Sequence, residues 1–189
     1  MTQQKSFGLA TSTYGHNADG TLAWHRDAIS RQTSFANYKR GIPRTISRKD
    51  GTTETFVVDD NGWITSRTNG RGFTTSFQHN AMGNVTLINR PGTWANTSVS
   101  YSSLGNGMVI TETRGSHRKA TSLDGFLRPT LIKEEDLTGH TSARHLKISY
   151  DSMGRVAFES WPSASANPSA GISTTYDSLG RVTQTAETV

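Results

Sequence analysis

The sequence predicts an all-β fold of tandem antiparallel β-hairpins, joined edge to edge in a curved or spiralling sheet. Three observations carry that prediction. A seven-residue pattern recurs along the chain. Threonine and serine together number 49 of 189 residues, beside 18 glycines. No segment repeats its apolar residues at the helical period of 3.6. Threonine suits a pleated strand, while serine and glycine suit turns. Only 32% of the residues are hydrophobic, which is lean for a compact globule of one or two domains.

The pattern is clearest in Tyr150-Asp151-Ser152-Met153-Gly154-Arg155-Val156 and Tyr176-Asp177-Ser178-Leu179-Gly180-Arg181-Val182. Weaker copies precede them. They include Tyr101-Ser102-Ser103-Leu104-Gly105 and Leu123-Asp124-Gly125-Phe126-Leu127-Arg128, the latter with leucine in the glycine slot. His79-Asn80-Ala81-Met82-Gly83, Val58-Asp59-Asp60-Asn61-Gly62 and His16-Asn17-Ala18-Asp19-Gly20 follow, and Asn37-Tyr38-Lys39-Arg40-Gly41 is the loosest. The slots fall at 20, 41, 62, 83, 105, 127, 154 and 180, spaced by 21, 21, 21, 22, 22, 27 and 26 residues.

Each element of the copy has a physical reason. Three positions before the slot stand Asn17, Tyr38, Asp59, Asn80, Ser102, Asp124, Asp151 and Asp177. All but Tyr38 are the short polar residues that open a type I turn, accepting a backbone N–H two residues on. Glycine in the slot takes the left-handed conformation at little cost, which makes a three-residue hairpin with a bulge. Asp59, Gly62, Asn80, Gly83, Ser102, Gly105, Asp151, Gly154, Asp177 and Gly180 are therefore read as turn-forming residues. Leu127 lacks that freedom, so its turn is expected to differ, with Gly125 supplying the left-handed residue. The apolar residue before the slot (Met82, Leu104, Phe126, Met153, Leu179) is expected to pack at the turn.

The flanks alternate as strands do, with Val156 and Phe158 on one face and Arg155 and Glu159 on the other. Asn69-Gly70-Arg71-Gly72 and Arg90-Pro91-Gly92 supply second turns between copies. The chain thus reads as one array of about eight hairpin units over residues 1–189, with insertions near 136–144 and 162–171. The second, rich in serine, alanine and proline, is expected to be a flexible loop. A lone hairpin is marginal in water, so the units must pair into a continuous sheet.

These residues resemble the YD repeat of rearrangement-hotspot (Rhs) proteins, of the shell-forming components of insecticidal Tc toxin complexes, and of the teneurins. The resemblance spans nearly the whole chain. It is most specific in the last two copies and looser before residue 100, where Tyr and Arg are often replaced. It implies a hollow β-shell, which in bacterial members encloses a cytotoxic C-terminal segment. The implied role is structural, as one arc of such a shell in a larger bacterial toxin that is secreted or delivered to target cells. The implied partners are the remainder of the shell and the enclosed toxin segment. Bacterial relatives cleave themselves near an Asp-Pro step. This sequence has no Asp-Pro and stops nine residues past Gly180, so a fragment of a longer array is expected. The alternative is an extracellular adhesion module that binds carbohydrate or protein.

No enzyme is predicted. Nucleophile elbows and P-loops are absent, and Gly105-Asn106-Gly107 lacks the third glycine and the helix of a dinucleotide site. The six histidines (His16, His25, His79, His117, His140, His145) form no metal-ligand motif, although His140 and His145 stand five apart. His16 and His79 occupy the Tyr slot, which favours packing. No cofactor and no metal is predicted, and without cysteine no disulfide or thiolate site exists. Trp24, Trp63, Trp94 and Trp161 are candidate ligand contacts, with packing on the sheet the commoner fate of aromatics. The net charge is +5, concentrated at Arg26, Arg31, Lys39, Arg40, Arg44, Arg48 and Lys49. A solvated basic face is the plainer reading, and nucleic acid is not predicted as a partner. No apolar run is long enough for a membrane-spanning helix, and the N-terminal residues lack a signal peptide's apolar stretch. The outermost strands, near Ser6–Thr13 and Gln184–Val189, carry little charge or proline beyond Lys5 and Glu187. Edge-to-edge self-association is therefore expected.

Overall fold

The computed structural model describes residues 2–6, 9–139 and 143–189. Among the described residues there are seventeen β-strands and no helix. The fold is all-β, as the repeat pattern predicts. The chain divides into two units, Met1–Asn96 and Thr97–Val189.

The first unit contains β1 (Thr2–Ser6), β2 (Leu9–His16), β3 (Leu22–Asp27), β4 (Gln32–Ala36), β5 (Thr45–Arg48), β6 (Thr53–Val58), β7 (Ile64–Thr68), β8 (Thr74–His79) and β9 (Val85–Asn89). Each pairs antiparallel with its neighbours in sequence. The second unit is a meander of the same kind. It runs through β10 (Thr97–Leu104), β11 (Gly107–Arg114), β12 (His117–Leu123), β13 (Pro129–Asp136), β14 (Arg144–Tyr150), β15 (Val156–Ser160), β16 (Gly171–Tyr176) and β17 (Val182–Thr188).

Among the described residues one turn geometry recurs nine times. The first residue's N–H bonds to the carbonyl four residues on, and its carbonyl accepts the N–H of the third residue after it. The turns open at Asn17, Asp27, Arg48, Asp59, Asn69, Asn80, Asp124, Asp151 and Asp177. The residue after three has positive φ in every case. In seven of the nine, one side-chain oxygen accepts both the second and the fourth following N–H; Asp151, for example, holds Met153 and Arg155 at 2.9 Å each. Arg48 cannot accept, and Asp50, two residues on, takes the Thr52 N–H instead, as Asp19 does for Thr21. A register shift falls on the residue just before the turn in six of these hairpins, at His16, Val58, His79, Leu123, Tyr150 and Tyr176. That is the bulge such a loop requires.

The structure corrects several expectations. Leu127 itself is left-handed, at φ +61, and its turn is the same as the others; Gly125 is not the left-handed residue. The Asp124 cap at one end and the paired strands at the other hold the leucine there despite the strain. At Gly41 the loop is two residues long, with Arg40 and Gly41 both at positive φ between Lys39 and Ile42, the type I′ signature. Gly105 also begins a two-residue loop, with Leu104 opposite Gly107. Ser102 therefore lies inside β10, opposite Val109, and opens no turn. In the first unit, left-handed residues fall at 20, 30, 41, 51, 62, 72, 83 and 92, with Asn37 and Arg40 in addition beside Gly41, so turns recur at half the 21-residue period.

The apolar tips do not pack. Met82, Phe126, Met153 and Leu179 are 76–82% exposed, because the second turn position points off the edge of the sheet. The 162–171 segment, expected as a loose loop, is tied down instead. Ser163 bridges to His145, the Trp161 N–H bonds to Ala170, and Lys147 Nζ donates to Asn167. The centre of the 136–144 insertion, with His140, lies outside the described residues. Apart from Pro168, Val58 is the one hydrophobic residue among those described that is fully buried. Each unit is thus a single layer held by ladder hydrogen bonds and by contacts between turns.

Candidate functional site

Alternate turns of an antiparallel meander lie on one edge, two strand spacings (about 9–10 Å) apart. On one edge of the second unit the copies interlock. The Arg155 Nε donates to Asp151 of its own turn at 2.7 Å, and Nη1 reaches the Asp177 carbonyl of the next turn at 3.1 Å. The guanidinium lies over the Tyr176 ring, 4.5 Å from its centre, and the Tyr176 hydroxyl donates back to the Val156 carbonyl at 2.9 Å. The preceding pair repeats this. Arg128 binds Asp124 and covers Tyr150 at 4.3 Å, and the Tyr150 hydroxyl donates to Pro129. The Asp and Arg of one copy and the Tyr of the next therefore build a clasp between copies.

The glycines serve the same contact. A Cβ on Gly154 would stand 2.9 Å from Arg128 Nη1, and one on Gly83 would stand 2.9 Å from Trp63 Nε1. Trp63 follows its turn as Arg155 does, and it packs against His79, in the Tyr slot, at 5.5 Å. An aromatic pair thus replaces the cation–π pair. Tyr38 is the tyrosine of its copy, since its hydroxyl donates to the Leu22 carbonyl at 2.6 Å; Asn37 stands where the sequence alignment puts the tyrosine. Burial raises the Tyr38 pKa, with the Asp19 charge adding to it.

The capping carboxylates are held in their charged form. The Arg155 backbone N–H, against a desolvation penalty, and then the Arg155 side chain keep Asp151 below the usual aspartate value. Asp177 is lowered by the Arg181 backbone and side chain, and Asp124 by the Arg128 side chain and then its backbone. On the face of the first unit, burial pushes Glu54 upward, yet hydrogen bonds from Arg48 and Arg67 bring it below its ordinary value.

The basic segment is largely occupied. Arg26 donates to Gln32, Arg31 pairs with Asp27, Lys39 with Asp60, Arg48 with Glu54, and Arg44 donates to the Asn37 carbonyl. A hollow of about 370 Å³ nearby is lined by Arg31, Arg48 and Lys49 but also by Asp27 and Asp50, so it presents both signs of charge.

The four tryptophans separate. Trp24 lies across Gly15 on the paired strand, filling the space a Cβ would need, with Arg26 5.1 Å over its ring. Trp63 belongs to the clasp. Trp94 and Trp161 are 66% and 45% exposed. Trp161 borders an open hollow of about 400 Å³ with Glu159, Leu146, Val156, Ile172 and Thr174. His145 is 7% exposed, and its Nδ1 has no hydrogen-bond partner. Among the described residues no cluster of three or more potential ligands could hold a metal ion, and no helix is long and apolar enough to cross a membrane.

A single-layer meander whose copies lock together through their turns is a tandem hairpin-repeat protein. The comparisons narrow that class. The RHS Repeat family model matches residues 58–93. A chain in the structure of the Photorhabdus luminescens Tc holotoxin pore superposes with a TM-score of 0.69 and 16% identity, over 96% of this chain and 10% of that one. Residues 58–93 thus match an RHS repeat, the fold of the chain is similar to that part of the Tc structure, and the chain spans about a tenth of the length of the Tc chain it matches. A porin-like protein from Bacteroides uniformis aligns over 93% of this chain and 87% of its own at 12% identity, with a TM-score of only 0.39. No curated protein matches. The family match falls before residue 100, where the resemblance read from sequence is looser, and residues 58–93 hold three consecutive copies of the capped turn.

Proposed function

We propose that this chain is one arc of the β-shell of an Rhs/Tc-type polymorphic toxin, a wall segment that encloses a C-terminal toxin and performs no chemistry. The observation that carries the reading is the clasp. Side chains that another protein would present to a ligand here bind the next turn, and the layer buries almost no core of its own. Such a layer suits a wall that longer neighbours continue. On this reading the array of hairpin units is a segment of a longer one, its partners are the rest of the shell and the enclosed segment, and the whole is secreted or delivered to target cells.

The test is to express the longest natural open reading frame that contains this segment and image it by electron cryomicroscopy. A hollow β-shell with a protease-protected segment inside is the expected result. A C-terminal segment digested as fast as the free peptide would overturn enclosure.

One observation favours a second reading, carbohydrate binding. Trp161 offers an exposed ring beside Glu159 over an apolar floor, and an aromatic plate with an acceptor suits a sugar face. A glycan array with the wild type and Trp161→Ala decides it, because only Trp161-dependent binding would support adhesion.

A further inference from the structure

One edge of the second unit ends in a row of apolar tips. The turns β10–β11, β12–β13, β14–β15 and β16–β17 lie along it, two strand spacings or about 9–10 Å apart. They present Leu104, the pair Phe126 and Leu127, Met153 and Leu179, which are 51–82% exposed. The turn itself does not demand apolar residues there. In first-unit turns of the same geometry the corresponding tip position holds Asp19 and Asn61. Behind the tips the charges cancel in pairs, Arg128 with Asp124, Arg155 with Asp151 and Arg181 with Asp177. Residues 97–189 as a whole hold nine lysines and arginines against nine aspartates and glutamates, so the net charge of +5 falls entirely before them.

We infer that this row is a self-docking edge, on which a second copy of the chain seats the same edge of its own second unit. Three properties select that occupant. The gap between neighbouring tips is about one side chain wide at this step, so a row with the same step interdigitates along its length. The exposed parts of the five side chains amount to roughly 600 Å², as much as the largest apolar patch of an ordinary monomer. Two rows together withdraw about 1,200 Å² from water, the lower bound of a stable interface. Finally, a neutral edge on a neutral unit meets its own copy without like-charge repulsion, whereas an anionic lipid surface finds no cationic excess to attract it. The contact is isologous, with a two-fold axis relating the copies. It leaves the strand ladders and the turn-to-turn bonds as they are, and it holds whatever the array encloses.

Sedimentation velocity on the full chain, from low to high micromolar concentration, tests the inference. A reversible monomer–dimer equilibrium is expected. Met153→Ser combined with Leu179→Ser should weaken the dimer about tenfold or more, because two tips of each row lose their apolar surface. Both side chains are at least 76% exposed, so circular dichroism and thermal melting should show the fold intact. Met82→Ser, at a tip of the first unit that is 78% exposed, should leave the dimer unchanged. A monomer at every concentration overturns the inference. So does a dimer indifferent to the paired serine change, which would place the contact elsewhere. A chain that stays monomeric yet floats with phosphatidylcholine vesicles, and loses that in the serine variant, would assign the tips to a lipid surface instead.

Discussion

Two stretches of the second unit hold the same kind of sheet together by different means. From β10 to β12 the strands are seven or eight residues long, β10 and β11 pair without a register shift, and the chain reverses at the loops Gly105-Asn106 and Gly115-Ser116, of which Ser116 also accepts the Leu137 N–H. From β14 to β17 the ladders are shorter and each Tyr-Asp turn carries a bulge. There the turns carry the ion pairs, stacks and hydroxyl bonds that join one hairpin to the next. A single layer can therefore gain order from long pairing or from a cross-linked edge. The Tyr-Asp-x-x-Gly-Arg pattern marks where the second means is used.

Acid should separate the two stretches most widely. Asp124, Asp151 and Asp177 have folded values below the ordinary 3.8. The stability they contribute is complete above that pH and is lost as the pH falls through the lower folded values. The β10–β11 loop has no carboxylate cap. Amide exchange followed from pH 5 downward should show β16–β17 opening first; simultaneous opening would deny the comparison.

Arg155→Ala is expected to cost about 2 kcal/mol, counting the stack on Tyr176 and the bond to the Asp177 carbonyl. Arg181→Ala, at a largely exposed pair, should cost much less. Urea unfolding of the two variants checks the ratio, and equal losses would mean that the inter-turn contacts contribute nothing.

Leu127→Gly should stabilise by about 1 kcal/mol, since it relieves a left-handed leucine. A loss of stability would show that the leucine side chain is needed at the tip. Ser102→Ala should fall within about 0.5 kcal/mol of wild type, because Ser102 is an exposed strand residue. A larger change would restore it as a turn former.

How much of this was legible in the sequence follows from the physics of each residue. Positive φ selects glycine, so seven of the eight slots announced their turns, and the aspartates and asparagines before them announced their caps. Asp27–Arg31 went unread because Ser30 stands where glycine would. At Leu127 the cap was visible, but its power to hold a leucine was not. Met82, Phe126, Met153 and Leu179 look like core in any linear reading; only the direction of the second turn position puts them in solvent. The clasp was the largest omission. Tyr176 and Arg181 share a copy, but Tyr176 meets Arg155, a partner one full repeat away.

The nearly bare layer has a thermal consequence. The heat-capacity increment of unfolding comes chiefly from apolar surface newly exposed to water, and polar surface lowers it. A sheet whose fully buried hydrophobic side chains amount to Val58 and Pro168 among the described residues should fall well short of the usual increment of about 12–15 cal/mol/K per residue. Its stability curve should be broad and flat, with cold denaturation displaced far below freezing.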